Sequence, residues 1–315
     1  MYFCIVNKAS RNGNSVKLWH ELETMIKEHN VEYEVHYTNG ADDATHYARL
    51  ACENAEEMGK TIDLIVFGGD GTLNEAINGI SDFSLVNMCY IPSGTANDFA
   101  KGVGLKDSPK EILRRILESS DIKKIDLGEV RYNNKYGIKR RRFAVSAGVG
   151  LDAYVCKQVE VSVLKKILNF IGLGQATYGI LTVFDLFTMK LANATICADD
   201  GEEVSIGKGI FLAAMNCPME GGGIPMVPYA NASSGKLSYI CAADISRSKC
   251  FILLLSLLKG KHVGKKGLRF ADFNKLSIKL DKPSWVHSDG ESVGFLEELE
   301  IVCLPQAMNI KGLKK

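Results

Sequence analysis

The chain has 315 residues, which at roughly 150 residues per domain leaves room for about two domains. It is 46% hydrophobic and 24% charged, which excludes a disordered or collagen-like chain. Lys+Arg number 38 against 37 Asp+Glu, so the net charge of +1 argues against a nucleic-acid binder that works by bulk positive charge.

The first third alternates between strand and helix. Residues 2–6 form a short apolar strand, and from Ser15 a helix places Val16, Trp19, Leu22 and Ile26 on one face. A strand over 31–37 precedes a helix over 42–58 that stops at Gly59. The run TIDLIVF, 61–67, is apolar and β-branched, as a strand buried on both faces should be. A glycine-rich loop and a helix through Leu73, Ala76, Ile77 and Ile80 follow. LVNMCYI, 85–91, is another buried strand, with PSGTAND and a helix start behind it. This rhythm predicts a parallel sheet with helices on both faces, a three-layer α/β domain over 1–123.

The pattern changes near residue 122. IDLGEVRY, RRFAVSA, GIFLAAMN, GKLSYICAA, NKLSIKL and LEELEIVCL alternate with period two. Helical stretches interrupt at about 155–189 and 246–258. Residues 124–304 are expected to form an antiparallel β-sandwich, with 305–315 returning to complete the first domain. The nine cysteines form no C-x-x-C pair and are odd in number, so reduced thiols in the cytoplasm are expected. The opening MYFCIVNKAS has no basic stretch followed by an apolar one, so no secretory signal is expected. The longest apolar run, 251–258, is far short of the ~20 residues a membrane span needs, so any membrane contact is expected to be peripheral, at the inner surface.

The strongest chemical signal is FGGDGTLNEAINGI, 67–80. Gly68, Gly69 and Gly71 remove Cβ atoms where a strand turns into a helix, so backbone N–H groups can approach an anion. The loop is neither a Walker A nor a dinucleotide G-x-G-x-x-G sequence. Alone, it reads equally well as a glycine turn with an Asp at a helix N-cap. IPSGTANDFA, 91–100, repeats the arrangement at the next strand end, and two such loops converge on one crevice of an open sheet. Ser93 and Thr95 could donate to phosphate there or simply cap a helix. An Asp289-Gly290 pair in isolation reads as a surface turn.

Taken in order, GGDGTLNEAINGI, PSGTANDFA, YNNKYGIKRRRFAVSAGVGLDA, MEGGGIPMVPYANASSGKL and HSDGE resemble the bacterial diacylglycerol-kinase-type lipid kinases, which share a catalytic domain with sphingosine and ceramide kinases. The resemblance implies an ATP- and Mg²⁺-dependent kinase that phosphorylates a lipid hydroxyl at a membrane surface, with diacylglycerol as the foremost acceptor. It implies ATP contacts from Asn7, Lys8, Ala9, Ser10 and Arg11, from Thr38, from Gly68, Gly69, Asp70, Gly71, Thr72, Leu73 and Asn74, and from Ser93, Gly94 and Thr95. Glu75 would support the loop. Asp289 and Glu291 would be the catalytic acids, one of them removing the acceptor proton, with Asp70 and Asp126 beside them. Asp70, Asp126 and Asp289 would hold Mg²⁺ through water. Many relatives bind a structural Mg²⁺ through an Asp where this chain has Ser234, a much poorer ligand for a hard cation, so that site is not expected.

Other acceptors stay open: phosphatidylglycerol, a sphingoid base or NAD. So does a non-catalytic nucleotide-binding regulatory protein, and so does a homodimer. The basic segments KRRR, 139–142, and Lys259, Lys261, Lys265, Lys266 and Arg269 read equally as membrane contacts or as solvated surface. The apolar residues Leu164, Ile167, Phe170, Ile171, Leu181, Phe184 and Phe187 read as helix core or as an acyl-chain cleft.

Overall fold

The computed structural model describes residues 1–10, 15–161 and 174–314. The first part runs β1 (Tyr2–Asn7), α1 (Ser15–Glu28), β2 (Tyr33–Thr38), α2 (Asp43–Met58), β3 (Ile62–Gly68), α3 (Asp70–Gly79), β4 (Val86–Pro92), α4 (Asp98–Gly102) and α5 (Pro109–Glu118). On α1, Trp19, Leu22 and Ile26 are buried at helical spacing. α2 ends at Gly59, whose φ of 61° lets its N–H reach the carbonyls of Ala55 and Glu56. α5 begins with a capping box between Ser108 and Glu111, with Pro109 in its first turn.

β1 pairs with β2 and β3, and β3 with β4. The register sets Asn7 beside Thr38, Val6 beside Phe67 and Gly68 beside Pro92. The chain segments after β1, β3 and β4 therefore leave from one edge of the sheet, where the glycine-rich loops lie.

The second part is rich in β-structure: β5 (Ile122–Asn134), β6 (Gly137–Phe143), β7 (Ser146–Gly150), α6 (Leu151–Val161), α7 (Gly174–Thr188), β8 (Ala192–Ala198), β9 (Val204–Met215), β10 (Leu237–Ala243), α8 (Arg247–Leu258), β11 (Leu268–Phe273), β12 (Lys275–Ser288) and β13 (Glu291–Lys311). β12 pairs antiparallel with β7, β8 and β13, and β9 with β7, β8 and β10. The molecule thus combines a mixed α/β fold with a large β-rich C-terminal part.

Three features differ from the sequence expectation. The strand expected over RRFAVSA is two strands, β6 and β7, because the chain breaks at Ala144 and Val145, whose N–H groups bond to Asp289. The strand expected over LEELEIVCL continues to Lys311. It absorbs Pro305 through a register shift between Leu304 and Met308, with Gln306 at φ 50°. Its last residues, Asn309 and Ile310, then pair with Asn87 and Met88 of β4. Met308 and Ile310 are fully buried in the core of the first part, which draws the strand end there. Among the described residues, one hydrogen-bonded network of 13 strands therefore links both parts, where an α/β sheet and a separate sandwich had been expected. Of the apolar residues proposed for an acyl cleft, Leu164, Ile167, Phe170 and Ile171 lie outside the described residues.

Candidate active site

The two glycine-rich loops touch. A Cβ added to Gly94 would lie 2.6 Å from the Gly69 Cα, so only glycine fits there. Asn97, at φ 51°, holds the second loop by accepting from the Gly94 N–H at 2.9 Å and donating to the Gly94 carbonyl at 2.8 Å. The loop after β1 joins them. Asn7 Nδ2 donates to Thr72 Oγ1 at 2.9 Å, and the hydroxyls of Ser10 and Ser93 are 2.8 Å apart. Lys8 Nζ sits 4.7 Å above the Tyr37 ring, beside Thr38 at the end of β2. Asn7, Lys8, Ser10, Thr38, Gly69, Thr72, Ser93 and Gly94 therefore gather at one edge, and Thr95 is exposed in the loop that leaves it. Leu73 points into the core, so its side chain faces away from any ligand. Arg11 lies outside the described residues. Glu75 accepts from the Ala44 N–H at 3.2 Å, which braces α3 against the start of α2.

Acidic groups crowd the start of α3. The Asp70 carboxylate accepts from the N–H groups of Asp98 at 3.0 Å and Phe99 at 3.2 Å. Burial pushes its pKa up to about 6; those two N–H groups oppose the rise, and the charges of Asp98 and Asp289 add to it. Asp98 is itself buried. Its Oδ2 accepts from the Gly222 N–H at 2.7 Å, which docks the MEGGG loop of the second part onto α4. Its Oδ1 finds no hydrogen-bond donor among the described residues, with Lys101 Nζ 3.6 Å away. A buried carboxylate oxygen without a donor, beside a second carboxylate whose charge burial disfavours, fits Mg²⁺, which takes carboxylate and water oxygens.

Asp289 closes the site from the second part. It sits at φ 50° between β12 and β13. Its carboxylate accepts four N–H groups, from Asn74 Nδ2 at 2.9 Å, Ala144 at 2.8 Å, Val145 at 2.8 Å and Ser146 at 3.0 Å. Burial raises its pKa, and these donors oppose the rise. With its lone pairs taken, Asp289 serves as a clamp that fastens α3 to the break between β6 and β7. Glu291, two residues on, is exposed, and its Oε1 faces Gly71 at the start of α3. Of the two acids, Glu291 is the one that stands exposed at the phosphate loop, without such a clamp of donors among the described residues.

Asp126 makes its carboxylate contacts with backbone of the second part. It is fully buried, and its carboxylate accepts from the N–H groups of Gly235 and Gln306, both at 2.7 Å. It ties the 232–235 turn to the bend in β13. Asp98, read in the sequence only as part of a helix start, stands beside Asp70. Ser234 is exposed, and its hydroxyl bonds to the backbone of Lys236.

Sequence reading also missed the support behind the Asp289 turn. His287 is buried and lies 2.6 Å from Asp152, in the first turn of α6. The Gly290 N–H donates to His287 Nδ1 at 3.1 Å, which leaves the ring proton on Nε2, facing Asp152. The Asp-Gly turn that carries Glu291 is thus anchored to α6. The nearest sequence signals were the histidine in HSDGE and the aspartate in GVGLDA, neither distinctive without the fold.

Residues 1–130 match the family model described as "Diacylglycerol kinase catalytic domain". Residues 144–312 match "YegS C-terminal NAD kinase beta sandwich-like domain". The chain is 26% identical over 313 residues to "Putative lipid kinase YtlR" of Bacillus subtilis, covering 98% of this chain and 99% of that protein. It is 26% identical over 294 residues to the diacylglycerol kinase of the same organism, covering 90% of this chain and 88% of that one. Among solved structures, "a putative diacylglycerol kinase from Bacillus anthracis str. Sterne" superposes with a TM-score of 0.75 at 19% identity, covering 98% of this chain and 96% of that one, and so shares the fold.

Proposed function

The chain belongs to the diacylglycerol-kinase-type lipid kinases, a group of phosphotransferases, and from that premise we propose that it transfers the γ-phosphate of ATP to the hydroxyl of diacylglycerol, giving phosphatidic acid. The observation that carries this reading is the meeting of the Gly69 and Gly94 loops with the Asp70–Asp98 pair and the Asp289–Glu291 turn. In this reading, residues 1–123, completed by 305–315, form a three-layer nucleotide-binding domain, and 124–304 form a β-sandwich that presents the lipid.

The N–H groups of the two loops and the start of α3 would cradle the ATP phosphates. Asp70 and Asp98 would hold Mg²⁺, directly or through water, and the cation would neutralise charge building on the transferred phosphoryl group. Glu291 would take the proton of the acceptor hydroxyl as its oxygen bonds to the γ-phosphorus. The bond to the β-γ bridging oxygen would break, and ADP would leave. Asp289 would set the reach of Glu291 by fixing the turn. Asp126 would act at a distance, by holding the bend in β13. The enzyme would work in the cytoplasm, peripherally at a membrane surface.

The test is transfer of labelled γ-phosphate from Mg-ATP to diacylglycerol, phosphatidylglycerol, sphingosine and NAD offered side by side. Label in phosphatidic acid supports the reading. Label in another acceptor alone moves the substrate assignment there. Tight ATP binding with no label in any acceptor would favour a regulatory protein.

A further inference from the structure

The outer face of α7 and α8 is apolar where a solvated helix would be polar. α8 buries Cys250, Leu253 and Leu257 against the sheet, yet on its other side Ile252, Leu255 and Leu258 are 64%, 46% and 54% exposed. On α7, Leu186 is fully buried, while Phe184 and Phe187 are 59% and 49% exposed. The helices form one surface. Arg247 of α8 donates to the carbonyls of Leu186 and Met189, and the rings of Phe187 and Phe251 lie 6.4 Å apart. A helix that is apolar all round requires an apolar neighbour on both sides.

The charge beside this face is mainly positive, although Arg269 lies 3.9 Å from the exposed Asp244. Between Asp244 and Asp272 the chain carries seven Lys or Arg and no Asp or Glu. Lys249, Lys259, Lys261, Lys265 and Lys266 are exposed at the ends of α8 and in the turn beyond it, and Arg269 is exposed at the start of β11. The rival basic segment, on the β5–β6 hairpin, is partly consumed inside the molecule. Arg141 donates to Asn74, and Arg142 to the carbonyls of Ile77 and Ile80. The helical face is also joined to the site. Gln158 of α6 donates to Asp185 of α7 at 2.9 Å, and α6 holds the Asp289 turn through Asp152 and His287.

We propose that the outer face of α7 and α8, with the basic segment 259–269, docks on an anionic phospholipid bilayer. Phe184, Phe187, Ile252 and Leu255 enter the headgroup region while the lysines rest on lipid phosphates. The proposal rests on the lipid-kinase reading for its purpose, and its test does not. Full-length protein is sedimented with vesicles of phosphatidylcholine, with and without phosphatidylglycerol, in the absence of ATP and diacylglycerol.

Wild type should bind the anionic vesicles, and less so as salt rises. Lys265→Gln with Lys266→Gln should lower partition about 30-fold, at about fivefold per lysine. Phe184→Ser with Ile252→Ser should lower it about tenfold or more. Tyr136→Ser with Ile138→Ser, on the exposed hairpin, should leave it unchanged. All variants should melt as wild type does and turn over a water-soluble short-chain diacylglycerol equally. The proposal is overturned if wild type ignores anionic vesicles, or if only the hairpin variant loses binding. It is also overturned if wild type is a dimer that the α7–α8 substitutions dissolve. Turnover without vesicle binding defeats the docking face alone, and vesicle binding without turnover on any acceptor defeats the kinase reading alone.

Discussion

Replacing Asp289 with Asn should cost folding stability as well as activity. Each Asp289 oxygen accepts two N–H groups: Oδ2 from Asn74 and Ala144, Oδ1 from Val145 and Ser146. An asparagine offers one oxygen and one NH2. Whichever way the amide turns, two N–H donors lose their acceptor and face another donor. Hydrogen bonds to a charged group contribute ~1.5–3 kcal/mol each, so two lost bonds amount to ~3–6 kcal/mol. Removing a charge that burial disfavours offsets part of this. A net loss of roughly 2–4 kcal/mol remains, which at ~2–4 °C per kcal/mol lowers Tm by roughly 4–16 °C. Thermal and urea unfolding of Asp289→Asn would be compared with Glu291→Gln, whose exposed side chain should change stability by no more than ~0.5 kcal/mol. An Asp289→Asn protein that melts within a degree of wild type would refute the four-donor clamp.

Asp70 gives a pH prediction. Its pKa rises from the ordinary 3.8 to about 6 in the folded chain, so the folded state holds that proton more tightly. The associated stability, ~3 kcal/mol for such a difference, is present below about pH 4 and lost as pH rises through about 6. Asp70→Asn should flatten that part of the stability–pH curve, and Mg²⁺ should raise the Tm of wild type more at pH 7.5 than at pH 5; equal slopes in both proteins would contradict the assignment. Gly94→Ala should force the two phosphate loops apart, costing ~1–3 kcal/mol of stability and weakening ATP binding about tenfold, as read by calorimetry. His287→Phe should leave Asp152 and the Gly290 N–H without their partner. The expected result is a fall in kcat of about tenfold with KM for ATP little changed, partly restored in His287→Gln, which keeps a donor toward Asp152.

The parts of the molecule that the sequence revealed are those whose signal is local. Trp19, Leu22 and Ile26 announce one helix face, and Gly59 announces its neighbour's end, because each acts within a turn or two. The two glycine loops were legible because adjacent strands carry them. What stayed hidden depends on distant contacts. Asp289 was read as a catalytic acid by resemblance; the donors that hold its carboxylate, Asn74 and Ala144 to Ser146, lie far back in the chain. Asp126 was placed with the catalytic acids through the family resemblance, and its bonds to the N–H groups of Gly235 and Gln306 needed the fold to be seen. Asp98 was overlooked because a helix-start aspartate is ordinary until the Asp70 carboxylate is found on its N–H group. The contact between the Ser93 and Ser10 hydroxyls, which joins two loops, was equally out of reach of the sequence. The continuation of β13 past Pro305 was invisible because Pro reads as a strand end unless a register shift absorbs it.

The most direct measurement is ³¹P NMR of the reaction of Mg-ATP with diacylglycerol in mixed micelles, using wild type and Glu291→Gln, with ATP affinity measured on both. A phosphomonoester signal for phosphatidic acid is predicted with wild type. With Glu291→Gln that signal should be absent or about 100-fold slower to appear, while ATP affinity is unchanged. Equal rates in the two proteins, or no phosphomonoester from wild type, would contradict the account.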